Sequence, residues 1–465
     1  QLGADLGPEI VIAAGLGRNG QPSDPMLLAR VTNAGDFARR LALLPLPPGS
    51  HGQRGPRPRL IETSRLPARL TGPVVWLHNG LLAAALDGAP LRALQQRLNG
   101  AAYVPFTATP FYSHVAQTYA AGVSVLVAAN LHALLANPAI TAKNPGLAQW
   151  PAQLGISNAN TFIAASRETS GLTTNRAVLA FSSPRRGVAA WLAPPQPMQA
   201  LSYISPDPHS VFAITTIQPA ALAAQIQQLQ IAGTASPGSA AAPPEWLLNL
   251  LDPLTGEFAA ALDGPMLPSP NWIVVAGIND PAAFQSSLAS ALAAIGGGAI
   301  TPITVNGQDA YRLALPFGFT AAYMYTGGDL IAASSSAWLT QALRFHSSGY
   351  NLLHSQRFLQ SLPLDDQLNC SALVYQNLGS AVGQLLGFAG SAGMTAQQRQ
   401  GLAGLASQAP TTVCAYAEPE RISVAMNGTV GPLGFLEHSL FGVRNLPIGP
   451  LKALRMAPHA PDQRP

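Results

Sequence analysis

Short runs of alternating hydrophobic and polar residues predict strands along this chain, and stretches with helical spacing of apolar residues lie between them. Residues 210–217 are rich in β-branched side chains and predict a strand. Asp280 followed by Pro281 predicts a helix start, because the carboxylate accepts from first-turn N–H groups and proline has none to satisfy. Asn306-Gly307 between two strand-like runs predicts a tight hairpin.

The same pattern occurs twice. Residues 26–37 align with residues 273–284, an offset of 247, and Glu9 aligns with Glu257 and Leu91 with Leu339 at an offset of 248. The sequence therefore predicts an α+β fold of two tandem homologous units, each a mostly antiparallel sheet covered by helices. The expected limits are residues 1–200 for the first unit, 201–449 for the second, and an extended or disordered tail at 450–465 that is rich in Pro, Ala and Arg.

The two predicted units begin differently. The second has a strand and helices over residues 211–251 before its Glu257, whereas the first has eight residues before Glu9. We expect that residues upstream of Gln1 were cleaved away or lie outside the sequence. The alternative is that another chain supplies the corresponding strand.

Composition changes the picture of the surface. Charged residues are 10% of the 465 residues and hydrophobic residues 48%, whereas charged residues are about 25% of a typical globular protein. This balance favours an exported protein. The net charge is +4, but the densest basic cluster, Arg54 to Arg69, is interrupted by Pro and Gly and predicts a solvated loop, not a nucleic-acid site. No apolar run reaches the ~18 residues of a transmembrane helix.

Candidate chemistry is sparse. Cys370 and Cys414 fall at strand positions, where they predict either two buried thiols or a disulfide between neighbouring strands. Asp365-Asp366 is the one adjacent acid pair, and we expect it to lie in a solvated or capping turn. No nucleophile elbow, phosphate loop or histidine spacing typical of a metal site is present. The sequence predicts no catalytic, cofactor-binding or metal-binding residues.

Aromatic residues cluster in corresponding parts of the two units, residues 76–119 and 311–358. Core packing is the first interpretation, and a surface for an apolar ligand or partner is the second.

Several stretches resemble a known group of proteins. They are residues 256–265, 272–284, 328–334 and 371–377, together with 191–198 and 203–207. They resemble a bacterial family of unknown function with acidobacterial members, whose proteins are duplicated α+β chains that frequently carry an export signal or membrane anchor. The resemblance covers most of residues 205–430 and more weakly 5–200. It implies no catalytic residue, because none is assigned in that family.

Three functional hypotheses follow. The first is a non-enzymatic envelope or extracellular scaffold or binding protein, exported to the periplasm, cell surface or medium, with protein partners or self-assembly and no cofactor. The second is an accessory subunit of a larger membrane-associated complex, held through its aromatic clusters. The third is a hydrolase with an unrecognised site around Asp365, Asp366 and His354.

Overall fold

Two compact units divide the computed structural model. It describes residues 2–20, 22–43, 58–139, 154–169, 171–217, 219, 221, 245–265, 270–294, 297–315, 318–363, 368–377, 379–380, 382–383 and 395–428. Among these, the small unit comprises residues 2–113 and 133–139, and the large unit comprises residues 114–132 and 154–428. The predicted tail, residues 450–465, lies outside the described residues.

The small unit contains a five-stranded sheet in the order β1-β2-β5-β4-β3. All its strand pairs are antiparallel except β3 with β4. Helices cover both faces, because Leu91 packs with Trp76 on one face and Phe37 packs with Leu77 on the other. The elements are β1 (Leu6–Leu16), β2 (Pro22–Val31), α1 (Ala34–Leu43), β3 (Arg59–Ile61), β4 (Val74–His78), β5 (Leu81–Ala85) and α2 (Gly88–Leu98), with 3₁₀ helices at Leu2–Asp5 and Phe106–Ala108.

The large unit contains a sheet in which thirteen strands are described. Their order is β12-β13-β14-β15-β11-β10-β9-β16-β17-β18-β8-β7-β6, and every pair is antiparallel. The strands are β6 (Val125–Asn130), β7 (Ala159–Thr169), β8 (Leu172–Phe181), β9 (Ser210–Thr215), β10 (Leu254–Asp263), β11 (Asn271–Ile278), β12 (Ala299–Val305), β13 (Gln308–Ala314), β14 (Thr320–Thr326), β15 (Asp329–Ala333), β16 (Ala372–Gln376), β17 (Thr411–Glu418) and β18 (Arg421–Asn427).

Helices cover the large sheet or lie at the sequence boundaries between the units. They are α3 (Pro110–Ala120), α4 (Leu131–Leu135), α5 (Glu245–Leu251), α6 (Pro281–Ala294), α7 (Ser336–Ser348), α8 (Gln356–Ser361) and α9 (Ala396–Ala406), with 3₁₀ helices at Gly187–Ala190, Gln199–Tyr203 and Leu352–His354. No described helix is both long enough and apolar enough to cross a bilayer.

The α+β class and the predominance of antiparallel strands confirm the coarse fold prediction. The compact units, however, do not follow the expected limits of 1–200 and 201–449. The reason is the pairing of β8 with β18, which joins strands from the two stretches edge to edge, with Arg176 opposite Ala425. Residues on both sides of position 200 therefore belong to one sheet.

Local signals locate several elements correctly. Ala283 N–H donates to the Asp280 carboxylate at 2.9 Å, at the start of α6. Asn306 and Gly307 have φ values of 51° and 76° and connect β12 to β13 as a two-residue hairpin. Residues 210–215 form β9 within the predicted strand. These elements depend on neighbouring residues alone.

Candidate functional site

The two cysteines lie in the core of the large unit. Both are buried thiols, and Cys414 stands opposite Leu373 in the pairing of β16 with β17. The disulfide considered from the sequence is therefore not formed, and the buried-thiol interpretation fits the structure. A thiol surrounded by apolar side chains contributes as a small hydrophobic group.

The residues of the hydrolase hypothesis are only partly visible. Asp365 and Asp366 lie outside the described residues. His354 contacts the Asn351 side chain through Nδ1 at 3.1 Å, next to its own 3₁₀ helix. Across the described part of the chain, no group of three His, Cys, Asp or Glu side chains has the arrangement to hold a metal ion.

A polar cluster in the large unit surrounds the 3₁₀ helix Gln199–Tyr203. Ser202 Oγ lies 2.8 Å from His346 Nδ1, and the rings of Tyr203 and His346 stack with centroids 4.2 Å apart. The Tyr203 hydroxyl donates to the Asp329 carboxylate, and the Glu257 carboxylate accepts the Ala200 N–H at 2.7 Å. Sequence analysis missed this cluster, because its members come from four separate elements.

Ser202 and His346 invite comparison with a nucleophile and its base, but the Ser202 hydroxyl has a second hydrogen-bond partner. The Ser202 hydroxyl donates its proton to the Gln199 carbonyl at 2.7 Å. Its oxygen can then accept from His346 in the tautomer that carries the proton on Nδ1, so the contact does not by itself make His346 a base for Ser202. The contact holds the 3₁₀ helix against α7.

Burial raises the pKa values of the two carboxyl groups in this cluster, Glu257 and Asp329. Desolvation raises the pKa of Glu257 above its ordinary value, and hydrogen bonds from the backbone of Ala200 and Gln199 oppose that shift. Desolvation likewise raises the pKa of Asp329, opposed by the Tyr203 hydroxyl and by His346. Both carboxyl groups bind polar atoms of the 3₁₀ helix or its neighbours, so their visible role is to position residues 199–203 over β10 and β15.

The large unit also has an open cleft of about 480 Å³. It is lined by Arg357, Gln360, Ser361, Asn377, Gly379, Ser380, Ala406, Ser407, Gln408, Ala409 and Pro410. At its side, Asp207 accepts from Arg357 Nη1 at 3.0 Å and from Asn377 Nδ2 at 2.7 Å. Arg357 and Asp207 are solvent-exposed, and such an ion pair contributes little stability. The lining residues offer a guanidinium, amide groups and hydroxyl groups, but no carboxylate and no imidazole.

A different kind of feature marks the small unit. Three consecutive apolar residues of β1, Ile10, Val11 and Ile12, are exposed, and so are Leu98 at the end of α2 and Val104 after it. We name these five residues the β1 surface. Because successive side chains of a strand point to opposite faces, exposure of all three on β1 leaves both faces of that strand uncovered. Sequence analysis did not single them out, since apolar residues in a strand ordinarily predict burial.

No family model matches this chain, and no curated protein matches it either. Two solved structures align with about half of it. The first is crystal form III of TP0453, with 11% identity, coverage of 53% of this chain and 98% of that chain, and a TM-score of 0.26. The second is crystal form I of TP0453, with 11% identity, coverage of 53% and 96%, and a TM-score of 0.22. TM-scores this low carry no argument about fold or function.

Proposed function

We propose that this chain is an exported, non-enzymatic scaffold or binding protein, built from two related halves, that binds a partner through its β1 surface. The observation that carries the proposal is the uncovered strand β1. Scattered apolar residues are normal on protein surfaces, but consecutive ones on the outermost strand of a sheet are typical of an interaction site.

Matching strand registers support two related halves, residues 1–200 and 201–449. Residues that pair in the first half have counterparts 247 or 248 positions later that pair in the second, as the sequence repeat predicts. The pairs are Ala13 with Met26 and Ala261 with Ile273; Met26 with Ala85 and Ile273 with Ala333; Val74 with Ala85 and Ala322 with Ala333. These three pairings support corresponding strand orders in the two halves, with an offset that changes by one residue between strands.

The closing strands of each half agree as well. Val125 pairs with Ser166, and their counterparts Ala372 and Ala415 pair with each other. Likewise Ala165 pairs with Arg176, and Cys414 pairs with Ala425. One strand departs from the correspondence, since β3 runs parallel to β4 whereas β13 runs antiparallel to β14.

Low surface charge supports the exported location, because only 10% of the residues are charged. The second candidate function, an accessory subunit of a membrane-associated complex, is favoured by exposed aromatic residues near the β1 surface. Tyr103 and Phe106 are both exposed there. The second aromatic cluster instead packs on itself, with Tyr311 and Tyr323 stacked at 5.2 Å.

The size of the native protein tests this function. We expect the chain from its native source to sediment as a species heavier than its 48.2 kDa monomer. Ile12→Asp should return it to the monomer, because a carboxylate on the β1 surface would lose its water in the complex. Leu43→Asp is the matched control, since Leu43 is exposed at the end of α1 outside the β1 surface. A monodisperse monomer of the unsubstituted chain at every concentration would refute the proposal.

A further inference from the structure

In the second half of the chain, β10 is the counterpart of β1, and residues 199–215 cover it. The 3₁₀ helix Gln199–Tyr203 packs against α7, β10, β11 and the 3₁₀ helix Leu352–His354. β9 then pairs along β10, from Ser210 opposite Leu262 to Thr215 opposite Glu257. Residues 199–215 thus cover one face of β10 and complete its edge.

The counterparts of the covered residues are exposed in the small unit. Ala259 of β10 is 0% exposed, whereas its counterpart Val11 is 51% exposed. Leu352 is 0% exposed, whereas its counterpart Val104 is 77% exposed. Val11 and Val104 are apolar, as are Ala259 and Leu352. The exposure of the two valines is therefore not explained by a change to polar residues.

Two pairs of counterparts away from this cover are buried in both halves. Leu91 and Leu339 are each 0% exposed, and Trp76 and Met324 are both fully buried in their cores. Exposure of Val11 and Val104 is therefore not a general property of the core positions of the small unit.

The edge of β1 has the geometry to pair with a strand. β1 is the outermost strand of the small sheet among the described residues, and its other edge pairs with β2. The stretch of β10 that pairs with β9, Glu257–Leu262, corresponds to residues 9–14 of β1. Pro8, which has no N–H to donate, lies just outside that stretch.

We propose that the β1 surface binds an extended segment of a second polypeptide, which adds beside β1 as a sixth strand in the manner of β9. This inference rests on the proposed binding function and names the partner's chemistry. Main-chain hydrogen bonds along an added strand give affinity, and apolar side chains at alternate positions give specificity. A short turn before the strand would cover Leu98 and Val104, as residues 199–203 cover α7 and Leu352.

The required segment is uncharged over about six residues. β9, Ser210–Thr215, carries no charged residue, and neither do residues 10–14 of β1. A charge buried between them would lose hydration without an opposite charge nearby.

A peptide with the sequence of residues 198–217 provides the probe. We expect the full chain to bind it saturably in a fluorescence-anisotropy titration, with slower hydrogen exchange of the amides of residues 9–14. Val11→Asp and Val104→Asp should each weaken binding by at least about tenfold, whereas the control Leu43→Asp should leave it within about twofold. A peptide with proline at positions 213 and 214 should bind at least about tenfold more weakly, because it loses strand donors.

Three results would overturn the inference. One is the absence of saturable binding to the unsubstituted chain, and another is binding that leaves exchange in residues 9–14 unchanged. The third is a native monomer with an intact mass above that of residues 1–465 in which these amides are already protected, since the same polypeptide would then supply the strand. If the peptide does not bind but the native protein still sediments as a complex, this partner is refuted and the binding function is not.

Discussion

At the scale of single residues, the buried carboxylate of Asp263 makes hydrogen bonds that the sequence does not predict. Asp263 is 1% exposed and accepts hydrogen bonds from Ser205 N–H at 2.9 Å, Ser205 Oγ at 2.5 Å and Gly264 N–H at 2.8 Å. Ser205 is 58 residues away along the chain, so no local motif reveals the contact. The bonds fasten the segment before β9 to the end of β10.

The pKa of Asp263 leads to a prediction on pH. Desolvation raises this pKa, while hydrogen bonds from Ser205 and Gly264 and the nearby His209 oppose the shift. A folded-state pKa above the unfolded value gives a stabilising contribution that is complete below the unfolded pKa and is lost as pH rises through the folded pKa. Asp263→Asn should therefore reduce the fall in the free energy of unfolding as pH increases above the ordinary aspartate range.

Urea denaturation at a series of pH values measures this effect. Asp280→Asn serves as the control, because Asp280 is an exposed helix cap. The prediction is wrong if Asp263→Asn and the control both leave the pH dependence of the free energy of unfolding the same as in the unsubstituted chain. The carboxyl group would then have the same pKa in the folded and unfolded chains.

At the scale of elements, hairpins follow from local chemistry and sheet order does not. Asn306-Gly307 and Asn79-Gly80 both have positive φ at each residue, as tight hairpin turns require, and the first of them was predicted from the sequence. In contrast, β9 pairs with β10 on one side and with β16 on the other, and the partners on the β16 side lie more than 150 residues away. Nothing in the pattern of a strand identifies so distant a neighbour.

The Asn306-Gly307 turn leads to a prediction on the free energy of unfolding. Gly307→Ala should lower the free energy of unfolding by about 1 kcal/mol, because an L-residue is strained at a φ of 76°. An added Cβ would meet no atom within 4 Å, so the cost is that of the backbone alone. Chemical denaturation measures it, and Asn306→Gly should be nearly neutral in comparison. A neutral Gly307→Ala would mean that the turn relaxes without loss.

At the scale of the whole molecule, the sequence predicted the α+β class and the predominance of antiparallel strands. It did not predict the compact units, because the pairing of β8 with β18 depends on edges that meet only in the folded chain. The exposed β1 surface was also missed. Val11 and Ala259 look equally buried from their sequence patterns, and only the cover formed by residues 199–215 distinguishes them.

The uncovered strand leads to a prediction for hydrogen exchange across the molecule. Amides of residues 10–13 in β1 should exchange at least about tenfold faster than those of residues 258–261 in β10, because β1 is exposed on both faces and no described strand pairs with its outer edge. Mass spectrometry of the full chain compares the two peptides in one experiment. Equal exchange would indicate that β1 is covered in solution.

The joint between β8 and β18 has a consequence for the history of the chain. β8 and β18 are corresponding closing strands of the two proposed halves, and they pair antiparallel with each other, with Arg176 opposite Ala425. Antiparallel pairing of a strand with its own counterpart is what a two-fold axis produces between identical subunits. Under the duplication proposed above, this joint is therefore the arrangement expected of two identical subunits that meet at this strand.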